Sequence, residues 1–378
     1  MRLQLTKDQL RLRQDVISFA RDNLNGEEHL EKFSPTLFKK VADFGLLGMI
    51  VSEEFGGLNE SYLTAAIVFE ALGYACKNNG LVFAINNHIW VAQNIIFLYG
   101  NKELTSKYVP SMVSGKKIGA VAITETEAGS DAMNMSTNAI QKPAEFILNG
   151  SKTFISNGPV ADVFIVFAVT ETHPIRKLSA FVVEREFEGV FIGSDIEKMG
   201  LSACPTSEVV FRNCRIPREN LLGHFNMGNG LLTSVLEWER FYEFVPHVGV
   251  MQRIMEQCIE HSNIRKQFGQ QISAFQAVSH RIADMKVAIE LSRLMMYHLA
   301  GLKDQRKSTY LETSIFKLFV SENYISLCRE AMQIFGAYGY TKEYSLEREL
   351  RDALASSVYS GTNEMQRNTI FRMINVDP

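Results

Sequence analysis

The sequence has no excess of positive charge, no paired-cysteine motif and no glycine-rich nucleotide fingerprint. Its 39 Lys and Arg against 42 Asp and Glu give a formal net charge of −3. A protein whose main partner is a nucleic-acid backbone carries a clear basic excess, so that class is excluded. No stretch approaches ~20 uninterrupted apolar residues, so no membrane span is expected. The opening MRLQLTKDQL mixes polar and apolar residues as a helix start does, unlike a signal or transit segment. The five cysteines (Cys76, Cys204, Cys214, Cys258 and Cys328) are odd in number and scattered. They read as reduced packing thiols, which suits a cytoplasmic protein, and they offer no metal-binding pattern. P-loop, HExxH and GxSxG motifs are absent, and the GNG at 228–230 lacks a third glycine and a strand before it. Any redox cofactor must therefore be held in some other way. Internal repeats and low-complexity segments are also absent.

What is present is enough apolar material for a sizeable core: 378 residues, 46% hydrophobic and 21% charged. Three zones follow one another. Residues 1–117 show helical periodicity, as in LTKDQLRLRQDVISFARDNL, where Leu5, Leu10, Val16, Ile17 and Phe19/Ala20 recur and Thr6 is placed to cap. LTAAIVFEALGYACK and NHIWVAQNIIFLYG continue the pattern, the second stopping at Gly100. Residues 118–222 change texture to short β-branched and aromatic runs, with LNG at 148–150 reading as a hairpin turn. Residues 223–378 return to long apolar-striped helices with short links, the pattern of an antiparallel bundle, in which Pro246 should bend the first helix. Helices, then strands, then helices predict an α+β protein: a helical domain, a compact β domain and an antiparallel helical bundle. The alternating rhythm of a dinucleotide fold is not there.

Four stretches stand out inside these zones. AVAITETEAGSD (120–131) ends a strand in hydroxyls and small residues, which lets backbone amides approach a flat or anionic ligand. KTFISNG (152–158) alternates so that Phe154 and Ser156 share a strand face, an aromatic and a hydroxyl set for a planar ring. RKQFGQQISAFQAVSHRIADM (265–285) puts Arg265 at a helix end, suited to a diphosphate. QIFGAYGY (333–340) permits close backbone approach at Gly336 and Gly339. Alone, each also reads as a polar turn, an exposed strand face or a helix cap.

Together with YSGTNEMQR (359–367), in this order and spacing, they make the chain resemble the acyl-CoA dehydrogenase family of flavoproteins over about residues 5–373. AITETEAGSD is similar to the family's TEPGAGSD segment, with Thr126-Glu127 in place of Pro-Gly. The resemblance implies the family's fold, with an N-terminal helical domain, a middle β-barrel-like domain and a C-terminal four-helix bundle, and FAD held between the β domain and the bundle, with help from a neighbouring subunit of a homo-oligomer, expected to be a tetramer. Ile123, Thr124, Gly129 and Ser130 would line the flavin and thioester side. Phe154 and Ser156 would lie against the isoalloxazine ring. Arg265, Phe268, Gln333 and Gly336 would reach the diphosphate and adenine end, as the partner's copies. Thr362 and Glu364 would face the adenosine part, with Glu364 standing where the family often has Gln.

The family reaction takes a proton from the carbon α to a thioester carbonyl and passes a hydride from the β carbon to the flavin, so it needs a carboxylate base. Many members supply a Glu in a Y-E-G-T loop; here that position is Ser360. Members of the isovaleryl type carry the base on the long helix just before an Arg, and Glu239-Arg240 of LEWERFYEF aligns with that pair. Glu239 is thus the implied base, with Glu243, one turn on, as the alternative, and Glu237 pointing away. Arg240, Ser130 and Ser360 would contact substrate. Burial beside an apolar acyl group predicts a raised pKa for the base. KMGLSACPTSEVVF (198–211) departs from the Arg-rich segment of fatty acyl members. With WER and YSGTN, it resembles enzymes of secondary metabolism that oxidise acyl or aminoacyl groups, notably prolyl, on a carrier protein, with Arg215, Arg218 or Lys266 as docking cations. The alternatives are a short or branched free acyl-CoA and a non-catalytic flavin-binding protein. Either oxygen or an electron-transfer flavoprotein would take the electrons.

Overall fold

The computed structural model describes residues 5–26 and 30–375. The first four residues of the opening stretch lie outside them. Helix α1 (Lys7–Asn23) begins in a capping box: Thr6 Oγ1 accepts from the Gln9 amide at 3.1 Å, and Gln9 Oε1 accepts from the Thr6 amide at 3.0 Å. Val16, Ile17 and Ala20 are buried. Leu10 remains 51% exposed, and the first turn is tied down through Gln9 to Thr64 instead. The domain continues through α2 (Pro35–Asp43), α3 (Tyr62–Ala75), α4 (Asn79–Asn86), α5 (Asn94–Tyr99) and α6 (Lys102–Val113). A wide π-type stretch, Asn87–Gln93, joins α4 to α5. Asn79–Tyr99 is long and apolar enough to cross a membrane, with a mean hydropathy of 1.4, but 78% of that window is buried inside the protein. Some of its polar side chains find partners there: His88 bonds Met112 O and the Gly119 amide, and Gln93 Nε2 donates to Leu47 O.

The middle domain is one sheet built from β1 (Gly119–Ala122), β2 (Asn138–Gln141), β3 (Glu145–Ser156), β4 (Val163–Glu171), β5 (Lys177–Glu184), β6 (Val190–Ile192), β7 (Thr206–Pro217) and β8 (Leu221–Leu222). The strand order is β6-β7-β3-β2-β4-β5-β8, with β1 added parallel to β4. Phe146, Leu148, Phe164, Phe181 and Phe211 fill its own core. The expected hairpin at 148–150 does not form. β3 runs straight through Asn149-Gly150 with a register shift against β7. The glycine answers a packing need: a Cβ at Gly150 would stand 2.3 Å from Thr137 Oγ1, and its φ is 147°. The hairpin reversal lies at 142–144, closed by Lys142 N donating to Glu145 O.

The last domain comprises α7 (Gly228–Tyr242), α8 (Val245–Ile264), a small hairpin of β9 (Lys266–Gln267) and β10 (Gln270–Gln271), then α9 (Gln276–Asp304), α10 (Tyr310–Phe335), α11 (Leu346–Ala355) and α12 (Asn363–Ile374). Pro246 does more than bend a helix: α7 stops and α8 restarts, with the proline in its first turn, where its missing N–H is not needed. α8 then lies hard against α3. A Cβ at Gly249 would meet Glu70 O at 1.9 Å, so only glycine allows the approach.

Buried polar groups fasten the three domains at one end of the site. Arg253 on α8 donates to Gly73 O and Cys76 O, each at 2.7 Å, and pairs with Glu349 of α11 at 2.8 Å. Asp352 of α11 accepts from the Leu201 amide of the middle domain at 2.6 Å and from Asn79 of α4 at 3.0 Å. The loop after α11, residues 356–362, is thereby carried to a fixed place beside α7.

Candidate active site

The C-terminal half of α7 and the 356–362 loop meet at Glu239. Ser360 Oγ donates to Glu239 Oε1 at 2.8 Å. Ser360 sits in the left-handed region, φ 59°, followed by Gly361 at φ 83°. That turn is held by its carbonyls. Arg240 Nε donates to Ser360 O at 3.2 Å, and Gln366 Nε2 donates to Ser360 O at 3.2 Å and Gly361 O at 2.9 Å. Thr362 caps α12 by accepting from the Met365 amide. Lys317, fully buried on α10, donates to Asn363 Oδ1 at 2.7 Å, and Ser321 donates to the same oxygen at 2.9 Å. Burial and the nearby Arg240 charge bring the Lys317 ammonium down to about 7.

Glu239 is walled in by protein yet keeps part of its surface open. Burial raises its pKa, while the Ser360 hydrogen bond and the charges of Arg240 and Lys317 pull it back. Glu237 turns the other way, to Lys303 and Thr309. Glu243 lies one turn beyond Glu239 and is only 1% exposed. Burial, and then the Glu239 charge, push its carboxyl well above the ordinary range. His247 Nε2 is hydrogen-bonded to the Tyr359 hydroxyl at 2.5 Å, and burial holds its imidazole down at about 3, so it stays neutral.

The second wall is the middle domain. Ile123 is 9% exposed just after β1, Thr124 is half-buried, and Gly129 and Ser130 are exposed on the turn. Two residues outside the initial candidate set hold this turn. Glu125 accepts from Ser136 N and Oγ, each at 2.6 Å, from Thr137 N at 2.9 Å and from Lys152 Nζ at 2.9 Å. Lys152, with no exposure, also donates to Ile123 O at 2.9 Å. A signal was available: a Lys on a strand face otherwise bound for the core needs a partner carboxylate.

Simple alternation along KTFISNG does not hold. It would place Phe154 and Ser156 on the face of Lys152, but a register shift between Lys152 and Ile155 inserts an extra residue. Phe154 takes that place at φ 56° and is 64% exposed, with buried Lys152 and Ile155 on either side. An aromatic in this backbone region is uncommon and strained. Ser156 is half-buried at the strand end.

The remaining candidates lie on exposed corners. Arg265 ends α8 with its guanidinium 5.7 Å from the Tyr338 ring centre, close to the end of α10 that carries Gln333 and Gly336. Phe268 is 93% exposed at the tip of the β9–β10 hairpin. Glu364 is exposed in the first turn of α12, where its own amide and Thr362 hold its carboxyl below the usual range. Of the proposed docking cations, Arg215 is already paired with Glu145 and Arg218 donates to Pro143 O.

These surfaces suit FAD. Phe154 offers a bare ring face, Ser156 a half-buried hydroxyl at the strand end, and among the described residues nothing stands within 4 Å of where a Cβ of Gly129 or Gly336 would be. Phe154, Phe268, Arg265 and Tyr338 supply stacking faces and cations for a large planar dinucleotide.

A helical–β–helical chain of this kind, with a carboxylate presented from the long helix, is a FAD-dependent oxidoreductase. The chain belongs to the acyl-CoA dehydrogenase family: it matches the family's N-terminal domain over residues 6–116, its middle domain over 120–214 and its C-terminal domain over 226–374. It is 36% identical over 349 residues to an L-prolyl-[peptidyl-carrier protein] dehydrogenase of Pseudomonas fluorescens, covering 92% of each chain. It is 32% identical over 386 residues to the mitochondrial isovaleryl-CoA dehydrogenase of Pongo abelii, covering 99% of this chain and 90% of that one. Among solved structures it superposes on the prolyl acyl carrier protein oxidase AnaB with TM-score 0.97 at 36% identity, covering 99% and 100% of the two chains. It superposes on PigA with FAD and proline with TM-score 0.96 at 34% identity, covering all of both.

Proposed function

We propose that this protein desaturates the α,β bond of an acyl or aminoacyl thioester carried on a carrier protein, with a prolyl group as the leading substrate. The observation that carries the reading is the Ser360–Glu239 hydrogen bond, which orients a carboxylate in the space that the small loop residue leaves open. Glu239 takes the α proton. Ser360 holds the Glu239 carboxylate in one rotamer, and the Arg240 and Lys317 charges keep enough of it ionised to act as a base. When bound, FAD supplies the hydride acceptor. Phe154, Ser156, Thr124 and Ile123 form the wall for its ring; Gly129 and Ser130 close the thioester side. Arg265, Phe268, Gln333, Gly336, Thr362 and Glu364 serve its diphosphate and adenosine end, the first four from a neighbouring copy.

The carrier-protein substrate is supported by the likeness to AnaB, PigA and the Pseudomonas fluorescens dehydrogenase. Exposed apolar residues on α9, Val287, Leu291 and Leu294, support the expected homo-oligomer. An anaerobic flavin-bleaching series with matched prolyl and acyl thioesters, on carrier protein and on CoA, tests the reading. Bleaching by prolyl carrier thioester is expected; bleaching only by free acyl-CoA replaces the substrate assignment. Glu239→Gln should keep its yellow colour and lose flavin reduction by about three orders of magnitude, in line with the loss of a general base. Near-normal reduction in that variant removes Glu239 from the role.

A further inference from the structure

Beside the proposed base lies a narrow cleft, with room for about one water-sized group, between Val82, Phe83 and Asn86 of α4 on one side and Glu243, His247 and Val250 on the other. It adjoins the reaction centre. Tyr359, the neighbour of Ser360 in the loop, packs on Phe83 with ring centres 4.7 Å apart and hydrogen-bonds His247. The lining is mostly apolar, and the polar atoms in it are the exception. Among the described residues, both carboxyl oxygens of Glu243 are buried without a hydrogen-bond partner, and so is Asn86 Oδ1. The Asn86 amide nitrogen is already committed to Tyr242 O at 3.0 Å, which leaves its oxygen as the free end.

Three oxygens thus line one cleft without a hydrogen-bond partner among the described residues. Each unpaired buried acceptor costs about 1–3 kcal/mol, a penalty that a group bearing hydrogen-bond donors removes. A hydrocarbon acyl chain brings none. An amine brings two or three N–H groups and a positive charge. We propose that Glu243, with Asn86, forms the subsite that recognises the α-amine of an aminoacyl thioester and so selects aminoacyl over plain acyl substrates. This assignment rests on the thioester reading of the preceding section. In the empty protein, burial and the Glu239 carboxylate keep the Glu243 proton in place. An amine entering as the free base takes that proton and remains paired to the carboxylate, so Glu243 is occupied by substrate while Glu239 is left free to act on the α carbon.

The test uses FAD-loaded protein and two unreactive pantetheine analogues with an amide nitrogen in place of the thioester sulfur, one prolyl and one cyclopentanecarbonyl. They differ by one amine for one methylene. Calorimetry on the wild type should show the prolyl analogue bound at least about tenfold more tightly, as loss of a charged hydrogen bond implies. In Glu243→Gln the preference should narrow to within about threefold. Glu243→Leu should abolish it while leaving the melting temperature unchanged or higher, because an unpaired buried carboxyl has been removed. No amine preference in the wild type, a preference that survives Glu243→Gln, or a lower melting temperature in Glu243→Leu would each overturn the assignment. Flavin bleaching by the matching thioesters separates the two readings. Amine preference without bleaching keeps the subsite and removes the dehydrogenase. Equal bleaching by both thioesters, with no amine preference, does the reverse.

Discussion

Replacing Ser360 with Ala deletes one oxygen and tests the coupling of the loop to the proposed base, Glu239. Ser360 is 6% exposed, and its hydroxyl lies 2.8 Å from Glu239 Oε1. Water has little room to take over the contact, and alanine tolerates the φ of 59° no better or worse than serine. A hydrogen bond to an ionised group contributes about 1.5–3 kcal/mol, and about 1.4 kcal/mol is a tenfold change in proton affinity. The bond stabilises the carboxylate, so its loss raises the Glu239 pKa further. A base must be deprotonated to act; the rate therefore falls as pH drops through that pKa. Raising it moves the acidic limb of the pH–rate profile to higher pH, by roughly one unit or more on this reckoning. Stopped-flow flavin reduction from pH 5 to 10 reads the limb directly, with FAD content as a check on folding. On the alkaline plateau the variant should match or exceed the wild type. A limb that stays in place, or moves down, refutes the reasoning: it would mean that the titrating base is a group Ser360 does not touch, with Glu243 the first to examine.

Lys152→Met strands the Glu125 carboxylate among buried groups and should lower the unfolding free energy by about 3–5 kcal/mol, seen as a fall in urea midpoint; adding Glu125→Gln should recover part of it. Wild-type stability should decline in acid, because Glu125 and Glu184 are held at about 2 against an ordinary 4.5 by their Lys and hydroxyl partners. Their contribution is present above the unfolded value and is lost as pH falls from about 4.5 through 2, which urea midpoints at pH 7, 4 and 3 will follow. Phe154→Gly should pull stability and cofactor binding in opposite directions: relief of left-handed backbone strain gains about 1–2 kcal/mol, while loss of a stacking face weakens FAD binding about two- to tenfold. A melting temperature and FAD affinity that fall together would indicate that Phe154 is a packing residue.

Much of the fold and of the candidate site was legible because the motifs are local. The Thr6 cap, the three-zone order and the Glu239-Arg240 pair all show in short windows, where periodicity and turn chemistry act over a few residues. The strand details were not. Asn149-Gly150 has the residues of a hairpin, yet Thr137 on a neighbouring segment turns them into a bulge, and Phe154 leaves the alternation for the same kind of reason. Bulges are set by the partner strand, which a single stretch does not contain. The Lys152–Glu125 pair, 27 positions apart, and the cleft between α4 and Glu243 form only when the chain is folded.

By itself the sequence determined that a base could not come from the loop at residue 360 and that a Glu-Arg pair stood on the long helix, because residue identity alone decides which group can carry a proton. Tertiary structure decided how they work together. Only the folded chain brings Ser360 across 121 positions to Glu239, buries Glu243 without a partner, and gives two glutamates one turn apart different surroundings. The physical reason is that proton affinity is set by burial and by neighbouring donors and charges, and those are properties of position in space.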